Sequence, residues 1–310
     1  MVNGQNISVA VQNMTLLAMK NRYVRSMMQL GMVMLGLASF NSQAKLIEEI
    51  IKVPVKVSDF YGKVIERDVV VTVFYDDAQP KPYPVAIINH GRAVKPEERA
   101  AFGRSTSITN ARWLASLGYM VASPTRIGYG VTGGEDVEDS GACQVKNYPP
   151  AYKAGADQTI QILSALRQRL DVLPDKGLIF GQSMGGTIAI SSAAQNPPGI
   201  QATINFAGGG GGNPDINPGE PCRPDSLERM FANYGKTAKI PTLWVYTDND
   251  KWMGTKYPKQ WFAAFKASGG VGEYLALPAN GADGHGVFTR DPAAWRPQVT
   301  DYLRGLGVLK

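Results

Sequence analysis

Three residue types that together can cleave an acyl bond occur in this chain in a telling order. A serine lies inside Gly181-Gln182-Ser183-Met184-Gly185, aspartates follow Trp244-Val245-Tyr246-Thr247, and a histidine sits in Asp283-Gly284-His285-Gly286. The serine has glycine two residues to either side, with a short apolar run before it and an Ala/Ile-rich, helix-like segment after it. That pattern is a strand-turn-helix in which the tight turn lifts Oγ clear of the backbone. Holding a serine there costs about 1 to 3 kcal/mol, which a merely structural serine has no reason to carry. Ser183 is therefore read as a nucleophile. An ordinary turn after a strand is the competing reading, and the partners must decide.

A serine that attacks a carbonyl needs a base to take its proton, and the chain offers two histidines, His90 and His285. The elbow resembles that of the α/β-hydrolases, in which the order along the chain is serine, acid, histidine, and that order selects His285. It follows a strand, lies in a glycine-rich loop and precedes the last helix, so its imidazole can reach back over a sheet. The acid must close a strand between these two residues and accept the Nδ1 proton of the imidazole. Asp248 and Asp250 both stand at such a strand end. Asp250 is preferred, because a residue further into the turn can bend toward His285, while Asp248 is placed to cap the turn. Asp283 is too close to His285 in sequence and reads as a turn former. Charge developing on the carbonyl oxygen needs preorganised donors. The N–H of Met184 supplies one, and the loop His90-Gly91-Arg92-Ala93 supplies the other from the backbone of Arg92. His90 then shapes that loop instead of moving protons.

These residues need strands to end beside one another. Strands are expected at Val53 to Val57, Val69 to Tyr75, Pro84 to Asn89, Tyr119 to Ser123, the run into Ser183, Ala202 to Phe206, Pro241 to Thr247 and Glu273 to Leu277. Helices are expected at Ser107 to Leu117, Tyr152 to Leu170, after Ser183, and at Ser226 to Tyr234, Pro258 to Ser268 and Ala293 to Leu303. In the second of these, Ala156, Ile160, Leu163, Leu166 and Leu170 recur at three- and four-residue steps and predict one apolar face. Strand and helix alternate through the second half. That alternation predicts an α/β fold, a mostly parallel central sheet with helices on both faces and chemistry at the carboxyl ends of the strands.

Composition narrows the class. A chain of 310 residues with 44% hydrophobic and 19% charged content can bury a full core. The net charge is +6, but Lys20, Arg22 and Arg25 stand in the first 44 residues without an acid, so the remainder carries +3. The cations are scattered, which is no nucleic-acid footprint. Residues 20 to 25 are basic, residues 27 to 40 are uncharged, and Ser42-Gln43-Ala44 has the form of a cleavage site. Residues 1–44 therefore read as a leader containing a secretory signal peptide, with Met19 a natural start, followed by a single domain over 45–310. An apolar run of about 14 residues is too short for a stable membrane anchor. The product would be secreted or periplasmic. In an oxidising compartment Cys143 and Cys222 are expected to form a disulfide, which on the chain-entropy model stabilises the fold by about 4 to 5 kcal/mol.

The segments Gly181-Gln182-Ser183-Met184-Gly185-Gly186, Ile240 to Asp250 and Asp283-Gly284-His285-Gly286 resemble the dienelactone-hydrolase-like branch of the α/β-hydrolases, with a likeness that runs from about Pro84 to Leu306. The resemblance implies the α/β-hydrolase fold and an acid at Asp250. Dienelactone hydrolases proper use cysteine where this chain has serine, so their lactone is not carried over. Aromatics after the strand ends, Tyr129, Trp252 and Tyr257, are candidates for the substrate pocket, or Trp252 and Tyr257 pack the next helix. The acidic stretch Glu135, Asp136, Glu138 and Asp139 reads as solvated surface. Gly208 to Gly212 lacks the Lys-Ser/Thr of a phosphate loop and reads as backbone passing close to the site mouth. Two histidines and a paired cysteine set leave few ligands for a metal, and the chemistry needs no cofactor. The expected function is hydrolysis of small-molecule or polymer carboxylic esters through an acyl-enzyme. The alternatives are a serine peptidase or acyltransferase on the same residues, and a non-catalytic binding protein that keeps the fold.

Overall fold

The computed structural model describes residues 45–309, so the expected leader and its cleavage site lie outside the described residues. Eight strands form one sheet in the order β1-β2-β4-β3-β5-β6-β7-β8. They are β1 (Leu46–Ser58), β2 (Val64–Asp76), β3 (Tyr83–Asn89), β4 (Met120–Thr125), β5 (Val172–Gln182), β6 (Ile200–Phe206), β7 (Thr242–Thr247) and β8 (Gly272–Leu277). The first two are antiparallel and in unbroken register from Leu46 opposite Asp76 to Ser58 opposite Val64. Their turn is closed by Asp59, whose Oδ1 accepts from the backbone of Tyr61 and Lys63 at 2.9 and 2.8 Å. β2 also runs antiparallel to β4, and every pairing from β4 to β8 is parallel.

The eight expected strands are all present: the central parallel strands β3 to β7, covered on both faces, carry near-continuous apolar runs, while the edge strand β1 alternates buried and exposed residues. Alternate residues of each strand feed different layers. Val85 and Ile87 of β3 enter one core with Ile162, Leu163 and Leu166 of a helix, while Ala86 and Ile88 enter another with Ala111, Leu114, Val299 and Leu303. A third cluster packs Trp244 and Tyr246 of β7 against Phe231, Trp261 and Phe265. The helices are α1 (Pro96–Ala100), α2 (Ile108–Ser116), α3 (Tyr148–Leu166), α4 (Met184–Ala193), α5 (Pro224–Thr237), α6 (Lys256–Ala267), α7 (Val287–Arg290) and α8 (Arg296–Gly305), and all but α1 supply these layers. Helices cover both faces, and this is the α/β-hydrolase architecture.

The short helices α1 and α7 are not among the expected ones, the ends of α5, α6 and α8 are shifted by one to three residues, and α3 departs most from expectation. α3 starts at Tyr148 and ends at Leu166, four residues before the expected positions at both ends. Pro149 and Pro150 occupy its first turn, where no backbone N–H is needed and the fixed φ suits a helix. The expected helix begins two residues after them, which leaves out that first turn. Leu170, expected on the apolar face, is fully exposed, and Tyr148, Ala151 and Tyr152 are buried instead.

Candidate active site

β5 runs into Ser183, which has φ 57° and ψ −124°, in the region that side chains disfavour. The flanking glycines have a steric reason. A Cβ on Gly181 would stand 1.9 Å from the Gly185 carbonyl oxygen, and one on Gly185 would stand 2.2 Å from that of Asn89. The elbow therefore presses directly against the end of β3. The Ser183 N–H donates to the Phe206 carbonyl at 2.8 Å, which ties the turn to β6, and α4 departs at Met184.

The loop after β3 passes over the serine. A Cβ added to Gly91 would lie 3.4 Å from Ser183 Cβ and 4.0 Å from its Oγ. Arg92, Ser183 and Met184 line one cleft. His90 is buried beneath this loop, its Nδ1–H donating to the Gly91 carbonyl at 2.7 Å while Nε2 accepts the Arg126 N–H at 3.2 Å. Burial, reinforced by the Arg126 charge, pushes its pKa well below the usual 6.5. A neutral imidazole with both nitrogens engaged is a structural part, as its position in the chain suggested.

Asp250 and His285 meet across the ends of β7 and β8. Nδ1 of His285 lies 3.0 Å from each Asp250 carboxylate oxygen, and the two residues are 7% and 3% exposed. With the carboxylate accepting, the proton belongs on Nδ1 and Nε2 is left as the basic nitrogen. Asp250 Oδ1 also accepts the N–H groups of Trp252 and Met253 at 2.8 and 3.0 Å, so its orientation is fixed from three sides. Asp248 is exposed. Asp283 Oδ1 accepts from the backbone of His285 and Lys251 at 3.1 and 3.0 Å, the turn-forming part expected of it. The indole of Trp252 stacks on the imidazole, centroids 5.2 Å apart.

Two residues that hold these loops together escaped the sequence reading. Gln182, beside the serine, donates Nε2–H to the His285 carbonyl at 3.0 Å. Asn249 donates to the Gly281 carbonyl at 2.9 Å and accepts from the Asn280 N–H at 2.8 Å, which binds the acid loop to the histidine loop. Neither has a sequence signal beyond its adjacency to a candidate residue.

The cleft has a volume of about 330 Å³ and is walled by Ser183, Met184, Trp252, Met253, Lys146 and the glycine run 209–212. Cys143 and Cys222 form the expected disulfide and also line it. The glycine run is held by three tyrosines. Tyr246 donates to Gly208 O at 2.7 Å and Tyr152 to Gly209 O at 2.7 Å, while the Tyr148 hydroxyl donates to the Cys222 carbonyl and lies 3.2 Å from Gly210 O. Burial, with a contribution from Arg92, lowers the pKa of Lys146.

Three expectations about the surroundings need correction. Tyr129 is not a pocket residue: it is fully buried, donates its hydroxyl to Glu138 at 2.9 Å and packs edge-on against His90. Tyr257 is not among the cleft-lining residues either; its hydroxyl turns to Glu220 and its ring stacks on Trp261. Trp252 does line the cleft. The acidic stretch is not all solvated, because Glu138 pairs with Arg126 where both side chains are 0% exposed, and Asp136 binds Arg92 and Arg99.

Fold and geometry thus define an α/β-hydrolase. The sequence matches the model of the dienelactone hydrolase family over residues 79–269, and the chain belongs to that family. No curated protein sequence matches it. Among solved structures it is similar to a CIB-like hydrolase from Thermoplasma acidophilum (17% identity, TM-score 0.54), covering 84% of this chain and 100% of that one. It is also similar to an acetyl xylan esterase from Paenibacillus sp. R4 (15% identity, TM-score 0.53), covering 86% and 90%. A puromycin-hydrolysing peptidase of Mycobacterium tuberculosis is similar too (14% identity, TM-score 0.54), covering 83% of this chain and 40% of the peptidase. The protein is a hydrolase. Among the described residues no helix is long and apolar enough to cross a membrane.

Proposed function

We propose that this protein is an exported serine esterase that cleaves carboxylic esters through an acyl-enzyme on Ser183. The observation that carries the reading is the buried Asp250–His285 pair, 3.0 Å apart, which follows the carboxyl ends of β7 and β8 as a serine held at φ 57° follows that of β5. A packing role explains neither the strain nor the burial of an acid on an imidazole.

In this reaction Ser183 Oγ attacks the ester carbonyl while His285 Nε2 takes its proton, and Asp250 stabilises the imidazolium through Nδ1–H. The tetrahedral oxyanion meets the N–H groups of Met184 and Arg92. Collapse breaks the bond to the alcohol, which leaves with the proton from His285. Water then attacks the acyl-serine with His285 again as base, releasing the acid and restoring the hydroxyl. The substrate is a small-molecule or polymer ester whose acyl part fits a cleft of about 330 Å³. Export is supported by the Cys143–Cys222 disulfide, which persists in oxidising compartments.

Hydrolysis of p-nitrophenyl esters of increasing acyl length tests the proposal. Ser183→Ala should lower kcat by at least about 10⁴-fold and Asp250→Asn by about 10⁴-fold, with the fold intact by circular dichroism. Unchanged turnover in Ser183→Ala would sink it. A matched amide series separates esterase from peptidase, and a peptidase should cleave the amides comparably.

A further inference from the structure

The segment from Arg126 to Glu138 grips the loop over Ser183 at both ends. Arg126, at the end of β4, donates NH1 to the His90 carbonyl at 2.7 Å and its backbone N–H to His90 Nε2 at 3.2 Å. Glu138 in turn holds Arg126 through Nε and, at 3.2 Å, through NH2, and takes the Tyr129 hydroxyl at 2.9 Å. Two residues along the loop, Arg92 places its guanidinium on Asp136, NH1 to Oδ1 at 2.9 Å and NH2 to Oδ2 at 2.5 Å. Arg99 braces the same carboxylate at 3.0 Å, and the Glu138 N–H donates to Asp136 Oδ1 at 3.2 Å. Both acids therefore belong to one rigid strap, and each holds a different end of His90-Gly91-Arg92.

A wholly buried arginine–glutamate pair adds little stability over apolar packing of the same volume. What it supplies is direction, and direction is what an oxyanion donor requires, since it must already point at the place where charge will develop. A bidentate guanidinium–carboxylate contact likewise fixes orientation in a way that a lysine cannot. We propose that Asp136 and Glu138 are positioning residues for ester hydrolysis. They act through Arg92 and Arg126 to hold the Arg92 N–H where the oxyanion forms. Asp136 does not line the cleft, and Glu138, which does, is buried and spends its carboxylate on Arg126 and Tyr129; the inference rests on the esterase reading above.

Asp136→Asn keeps the size of the side chain and removes the charge that orders both guanidinium forks; Glu138→Gln does the same for Arg126. Each should lower kcat about 10- to 100-fold, less than loss of a whole donor, with KM changed by no more than about threefold. Affinity for an alkyl boronic acid, which forms a tetrahedral anion on the serine, should fall in parallel with kcat/KM. Asp136→Glu, which restores the charge, should recover most of the loss, and Arg92→Lys should not match wild type. Should Asp136→Asn fail to fold, Glu138→Gln and Arg92→Lys still decide the matter. Variants that lose melting temperature but keep wild-type kcat and boronate affinity would overturn the strap. Wild-type protein that neither hydrolyses esters nor reacts with a fluorophosphonate would overturn the esterase reading instead, and the strap with it.

Discussion

Trp252 lies flat over His285, ring centroids 5.2 Å apart and planes 23° from parallel, while its backbone N–H donates to the same Asp250 carboxylate that holds the imidazole. The indole thus restricts the ring plane of the proposed base and keeps water from one of its faces. Trp252→Ala should lower kcat/KM by about 10-fold through looser positioning of the base, and Trp252→Phe should retain most activity because the stacking surface survives. Steady-state kinetics on one p-nitrophenyl ester check this, and equal losses in the two variants would argue against stacking.

Cys143 and Cys222 are 79 residues apart in sequence and both face the cleft. Their bond has two separable effects. Closing a loop of this length stabilises the fold by about 4 to 5 kcal/mol on the chain-entropy model, so the double Cys→Ser variant should melt about 10 °C lower. Releasing the two loops should also widen the acyl range toward longer chains. Differential scanning fluorimetry and an acyl-length series read the two effects independently.

His90 predicts a pH dependence of stability. Its folded-state pKa lies well below 6.5, through burial and the nearby Arg126 charge. Above that ordinary value the imidazole is neutral folded or unfolded, and stability does not depend on it. Below it, the unfolded chain binds a proton that the folded chain refuses. Stability should then fall by up to about 1.4 kcal/mol per pH unit until the folded imidazole also titrates. Urea unfolding at pH 7, 6 and 5 should show the gap between wild type and His90→Gln narrowing as pH falls. Parallel curves would contradict the assignment.

Much of this architecture is legible in the chain. The central strands are visible because parallel strands buried on both faces read as apolar runs, β1 because one of its faces is buried and the other exposed, and the pairing of His285 with an acid after β7 follows from chain order. Between Asp248 and Asp250, depth in the turn pointed to the residue now seen 3.0 Å from Nδ1. What could not be read depends on distant partners. Glu138 and Asp136 looked like solvated acids because Arg126 and Arg92 stand 12 and 44 residues away. Tyr129 looked like a pocket wall because an aromatic after a strand end can turn outward or inward, and Glu138 draws its hydroxyl inward. The first turn of α3 is absent from the expected helix because it holds Pro149 and Pro150, and proline both interrupts helices and starts them.

The central claim is that Ser183 carries the acyl group, and covalent labelling tests it most directly. A fluorophosphonate should modify the protein once, on the tryptic peptide containing Ser183, and ester turnover should vanish in proportion to the label. Ser183→Ala and His285→Ala should remain unlabelled although folded. Turnover that survives complete labelling, or a label on any other residue, would contradict the account.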